Sequence, residues 1–160
     1  MTERTKQILT DPNTVLVFDI DGTLARYEFG SQNHNACPDA EWKDYLAENR
    51  PYETAVPVTL FQQVIQKKPD QIFICSVVSG MDEVKQKEDF IKKNFPEIPA
   101  TNIYFVGTEE DKLISLYVIQ SIFDDKSPKD IFMIDDSCSV LNHIQEHSQY
   151  GTIHISSFLE

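Results

Sequence analysis

Short, nearly continuous apolar runs alternate with longer amphipathic stretches along the chain. Five runs, Val15–Phe18, 72–75, 103–106, 131–134 and 152–155, are rich in Val, Ile and Phe and are bounded by Asp, Asn, Gly or Ser. Near-continuous apolarity, as against strict alternation, predicts strands of a parallel sheet covered on both faces. Helices are predicted between them. The stretch 56–68 places Val56, Leu60, Val64 and Ile65 on one stripe, with Pro57 in its first turn. The stretch 82–94 opens with Asp82 and Glu83 and closes with Lys92 and Lys93, as the helix dipole favours. The stretch 111–123 repeats Leu113, Leu116, Tyr117, Ile119 and Ile122, and 137–147 carries Val140, Leu141 and Ile144. Strands alternating with helices of this length predict an α/β fold, a single domain over 1–160 around a central parallel five-stranded sheet.

Segment 25–55 breaks this rhythm. It has no clear period and holds Tyr27, Phe29, His34, Trp42, Tyr45, Arg50 and Tyr52 among Gly, Ser, Asn and Pro. A long irregular stretch in a domain of this size is functional or disordered, and the aromatics predict an ordered flap inserted after the first strand. Trp42 is expected to serve as a core anchor that closes this flap.

Composition narrows the setting. The chain is 41% hydrophobic and 25% charged, ordinary for a globular protein. No apolar run approaches the roughly 20 residues that span a bilayer, so no membrane association and a cytoplasmic address are expected. Cys37, Cys75 and Cys138 form no metal or redox spacing. The formal charge of -12 repels polyanions and argues against general nucleic-acid binding.

The chemistry gathers at predicted strand ends. The first run leads into Asp19-Ile20-Asp21-Gly22-Thr23, two carboxylates one residue apart where ligands bind in open α/β sheets. An Asp-Gly pair after a strand is equally a hairpin signal. The fourth run ends in Asp135-Asp136-Ser137, a second acid pair, which can also begin the next helix. Clustered carboxylates repel and call for a cation, and an all-oxygen donor set suits Mg²⁺. Ser76 follows the second run and Lys112 opens the helix after the third, a hydroxyl and an ammonium of the kind a phosphate needs. Each alone is an ordinary turn serine or surface lysine.

In this order, Asp19-Ile20-Asp21-Gly22-Thr23, Ser76, Lys112 and Asp135-Asp136 resemble the haloacid dehalogenase (HAD) superfamily over roughly 15–155. The resemblance implies a Rossmann-like three-layer sandwich and a Mg²⁺-dependent phosphate-ester hydrolase. It implies Asp19 as nucleophile, forming an aspartyl-phosphate, and Asp21 as the acid and base. Asp19, Asp135, Asp136 and the Asp21 carbonyl would serve the metal; Ser76 and Lys112 would hold phosphate, with Thr23 supporting the nucleophile loop and the phosphate. An acid at position 21 argues against the dehalogenase branch, which has no alkoxide to protonate. With one helix and one strand expected between Ser76 and Lys112, no cap domain fits there. An open site would follow, with Arg26, Tyr27 and Arg50 as candidate substrate contacts. A phosphorylated substrate is expected: a nucleotide, sugar phosphate, polynucleotide end or phosphoprotein. A looser likeness joins the chain to the phosphatase domains of polynucleotide kinase-phosphatases, although Val77-Val78 follow Ser76 where Gly-Arg is expected. The rival expectation is a phosphate- or Mg²⁺-binding module with the same fold and no turnover.

Overall fold

A computed structural model describes residues 1–26 and 39–158. Seven strands run β1 (Val15–Phe18), β2 (Ala25–Arg26), β3 (Val56–Pro57), β4 (Ile72–Val77), β5 (Ile103–Val106), β6 (Ile131–Asp135) and β7 (Gly151–His154). Seven helices run α1 (Glu3–Thr10), α2 (Trp42–Asn49), α3 (Pro51–Thr54), α4 (Thr59–Lys67), α5 (Met81–Asn94), α6 (Asp111–Gln120) and α7 (Cys138–His147).

Five strands form one parallel sheet in the order β5-β4-β1-β6-β7. The chain lays down β1, β4 and β5 in one direction, then returns past β1 to add β6 and β7. That reversal puts the topological switch point beside β1, where open α/β sheets bind ligands. Phe18 is level with Ile134, and the Asp19 N–H donates to the Ile134 carbonyl at 3.0 Å. Asp19 and Asp135 therefore leave neighbouring strands side by side.

Strand side chains alternate between two cores. Leu16, Phe18, Ile72 and Ile74 face Phe61 and Ile65 of α4 and Phe90 and Ile91 of α5. Val15, Val17, Phe73 and Cys75 face Leu113 and Leu116 of α6 and Leu141 and Ile144 of α7. Burial on both faces explains why the strands lack polar alternation.

Three local expectations are corrected. The helix expected over 56–68 begins at Thr59, because Val56 and Pro57 pair antiparallel with Arg26 and Ala25. This two-strand ribbon ties the ends of the insert together, and Pro57 is tolerated in it because such edges leave N–H positions unused. Segment 25–55 is not uniformly irregular, since it contains β2, α2 and α3. The N-terminal stretch, without an expected element, forms α1, with Thr2 accepting from the Thr5 N–H and Leu9 buried. No helix among the described residues is long and apolar enough to cross a membrane.

Phe61 is fully buried, with its ring 4.9 Å from Phe18 and 5.0 Å from Phe158. Phe61→Ala should cost about 3–5 kcal/mol of stability in urea unfolding. A loss below about 1 kcal/mol would contradict this packing.

Candidate active site

The loop that follows β1 is shaped by one glycine. Gly22 has φ +65, and a Cβ there would lie 2.0 Å from Asp136 Oδ2. Only glycine takes this backbone cheaply and admits the second acid pair so close to the first. The loop closes on Ile20, whose carbonyl accepts from the N–H groups of Thr23, Leu24 and Ala25.

Asp19, Asp135 and Asp136 bring carboxylate oxygens within 4.8 Å of one another. Asp19 and Asp135 are buried, whereas Asp136 reaches solvent. Lys112 lies 3.1 Å from Asp19 Oδ1 and donates to Asp135 Oδ2 at 2.8 Å. The Ser137 N–H donates to the other Asp135 oxygen at 2.9 Å. Beyond this ion pair, Asp19 Oδ1 is buried and lacks a well-directed hydrogen bond. Thr23 Oγ1 is likewise buried and unpartnered. Such orphaned atoms are uncommon and point to a missing ligand.

The electrostatics follow from this crowding. Burial pushes the Asp19 carboxyl up to about 7; Lys112 opposes the rise, while Asp135 and Asp21 add to it. Partial burial, then the Asp135 and Asp21 charges, push Asp136 up to about 6. Burial disfavours the Lys112 ammonium, yet Asp19 and Asp135 together raise its pKa.

A second charged cluster adjoins the first. Lys87 of α5 is fully buried and lies 2.7 Å from Asp21 Oδ2 and 3.0 Å from Glu83 Oε1. It also donates to Ser76 Oγ at 3.0 Å and to the Val77 carbonyl at 2.5 Å. Tyr52, from the insert, donates to Asp21 Oδ1 at 2.7 Å, and Trp42 Nε1 donates to Glu83 Oε2 at 3.2 Å. Ser79 adds its N–H and hydroxyl to the same Glu83 oxygen.

The sequence-derived residues divide accordingly. Asp19, Asp135, Asp136 and Lys112 come together at the carboxyl edge. Thr23 lies in the Asp19–Asp21 loop, and Ser76 sits inside β4, one step earlier than a strand-end position. The Asp21 carboxylate falls outside the oxygen cluster and faces Lys87 and Tyr52. Arg26 is exposed on β2. Arg50 caps α2, pairs with Glu53 and lines a separate cavity of about 150 Å³ with Gln86, Asp89 and Lys93; no described contact joins it to the acid cluster. Tyr27 lies outside the described residues. Trp42 packs against the core while bonding Glu83, as a flap anchor would.

Lys87, Glu83 and Tyr52 escaped sequence reasoning. The available signal was an opposite-charge pair at i, i+4 on the helical stripe that continues to Phe90 and Ile91. A larger apolar cavity of about 280 Å³, lined by Met1, Leu9, Leu60, Val64 and Lys68, lies toward the amino-terminal strand edge and holds none of this chemistry.

No protein-family model matches the chain, and no curated protein matches it. Solved structures do. A HAD family enzyme of Bacteroides thetaiotaomicron, in complex with magnesium and inorganic phosphate, aligns with TM-score 0.53 and 16% identity over 88% of this chain and 93% of that one. DsGPDH of Dunaliella salina aligns with TM-score 0.57 and 18% identity over 96% of this chain, which spans only 25% of that protein. The chain shares its fold with these structures, a five-stranded parallel sheet between helical layers.

Asp19 titrates at about 7 in the folded, cation-free protein against an ordinary 3.8. Its favourable contribution to stability is therefore present at low pH and lost as pH rises through 7. In EDTA, Asp19→Asn should raise Tm by a few degrees at pH 8, and the gap should narrow at pH 5. A lower Tm for Asp19→Asn at pH 8 would contradict the crowding account.

Proposed function

We propose that the chain hydrolyses phosphate monoesters in a Mg²⁺-dependent reaction with Asp19 as nucleophile. The observation that carries this reading is the buried Asp19 carboxylate, flanked by Lys112 and Asp135, with one oxygen lacking a hydrogen bond. A buried carboxylate of this kind at a sheet edge is what in-line attack on phosphorus requires.

The donor set fits a hard divalent cation. Its ligating atoms are all oxygen, and carboxylates outnumber the neighbouring ammonium groups. Asp19, Asp135 and Asp136 would hold Mg²⁺ together with the Asp21 carbonyl, and the bound ion would supply positive charge against the phosphoryl oxygens. The HAD enzyme of Bacteroides thetaiotaomicron, with its magnesium and phosphate, supports this choice.

The residues of the chain then have distinct tasks. An Asp19 oxygen forms a bond to phosphorus as the bond to the leaving oxygen breaks, and Asp21 delivers a proton to that oxygen. Asp21 next takes a proton from the water that attacks phosphorus, and Asp19 is released as a carboxylate. Lys112 and the Ser76 hydroxyl hold the phosphoryl oxygens as negative charge spreads over them. The buried Thr23 hydroxyl, without a partner, is available to the same oxygens or to the Asp19 carboxylate.

The insert 25–55 serves as a flap beside an open site, because only α5, β5 and a short turn lie between β4 and α6. Nucleotides, sugar phosphates, polynucleotide ends and phosphoproteins all remain substrate classes for such a site. A binding module without turnover draws on one observation: Asp21 is engaged by Lys87 and Tyr52 and stands apart from the cation cluster.

Hydrolysis of an aryl phosphate should require Mg²⁺, stop with EDTA and be poorly supported by Ca²⁺. Asp19→Asn should lower kcat at least about a hundredfold, on the order of 3 kcal/mol. Undiminished turnover after chelation, or in Asp19→Asn, would overturn the reading; no turnover under any condition would favour the binding module.

A further inference from the structure

The buried cluster around Lys87 connects the insert to two residues of the reaction. Resting on the hydrolase reading above, we propose that Lys87 and Tyr52 are positioning residues for proton transfer by Asp21. The insert would then take part in the chemistry as well as covering the site.

The geometry supports this in three ways. Each Asp21 oxygen has its own donor, Tyr52 to Oδ1 at 2.7 Å and Lys87 to Oδ2 at 2.7 Å. Two donors at the two ends of a carboxylate fix its plane. The Asp21 side chain is 31% exposed while Lys87 is wholly buried, so Asp21 can meet a substrate and Lys87 cannot.

Lys87 acts also through Ser76. It donates to Ser76 Oγ at 3.0 Å, so the hydroxyl hydrogen of Ser76 must point to another acceptor. In the proposed reaction that acceptor is a phosphoryl oxygen. One ammonium thereby aligns the proton donor and a phosphate contact together.

The far side of Lys87 is anchored to the insert. Glu83, 3% exposed, accepts from Lys87 on one oxygen, with the Tyr52 hydroxyl 3.3 Å away, and from Trp42 and Ser79 on the other. Burial disfavours the Lys87 charge, but Asp21 and Glu83 outweigh it and raise its pKa. The Lys87 ammonium lies 5.6 Å from the Tyr52 ring centroid, which favours the cation further. A carboxylate placed as deep as Glu83 would be costly without this cation, and the Tyr52 hydroxyl is the member that comes from α3.

Leaving-group dependence tests the idea, because only a poor leaving group needs the proton that Asp21 carries. kcat/KM should be compared for glycerol phosphate and dinitrophenyl phosphate in wild type, Asp21→Asn, Tyr52→Phe, Lys87→Met and Lys87→Arg. Tyr52→Phe decides the matter, since it keeps the ring and its packing, whereas Lys87→Met risks the fold. The loss in Tyr52→Phe should be at least about tenfold greater on glycerol phosphate than on the dinitrophenyl ester, in the same direction as Asp21→Asn. Where it folds, Lys87→Met should show the same bias, and Lys87→Arg should lose less. Equal losses on both esters, or none, would overturn the proposal while leaving the hydrolase reading intact. A wild type inactive on both esters would instead overturn the hydrolase reading, and the positioning role with it.

Discussion

Two buried ammonium groups, Lys112 and Lys87, hold together a sheet edge that would otherwise repel itself. Lys112 bridges Asp19 and Asp135 across neighbouring strands; Lys87 bridges Asp21 and Glu83 between the loop after β1 and α5. Even so, carboxylates outnumber cations here, which is why burial and neighbouring charge leave Asp19 and Asp136 hard to ionise. The fold tolerates this tension because the central strands β1, β4 and β6 beneath are packed on both faces. Ionising Asp19 costs the fold stability, a pattern common at reactive sites.

Much of the fold was legible because its physics is local. The apolar runs at Val15–Phe18 and Ile103–Val106 coincide with β1, which is buried throughout, and with β5, which is apolar throughout though only partly buried, so neither has a polar position to blur its ends. The acid pairs were legible for the same reason: they interrupt apolar runs where the sheet stops. The ribbon between Ala25–Arg26 and Val56–Pro57 was not legible, because its pairing is long-range and Pro57 read locally as a helix start. Lys87 was hidden by composition, since a lysine among Lys85, Gln86 and Glu88 looks solvated. Only the arrival of Asp21, Tyr52 and the sheet edge makes it an interior residue.

The insert changes meaning once its contacts are known. Its sequence suggested a cover that selects substrates through aromatic faces and arginines. Among the described contacts, Arg50 is occupied with Glu53, while Tyr52 and Trp42 reach inward to Asp21 and Glu83. The part of the insert that touches the reacting region is thus a hydroxyl and an indole N–H, both used as donors to carboxylates.

All of this depends on Asp19 carrying the phosphoryl group. The most direct measurement is to quench the protein during turnover with Mg²⁺ and a phosphate ester, reduce it with borohydride and map the modified residue by mass spectrometry. Reduction of an aspartyl-phosphate yields homoserine, and the account predicts homoserine at position 19 alone, absent when EDTA replaces Mg²⁺. Modification of a different residue, or steady hydrolysis with position 19 unmodified, would contradict it.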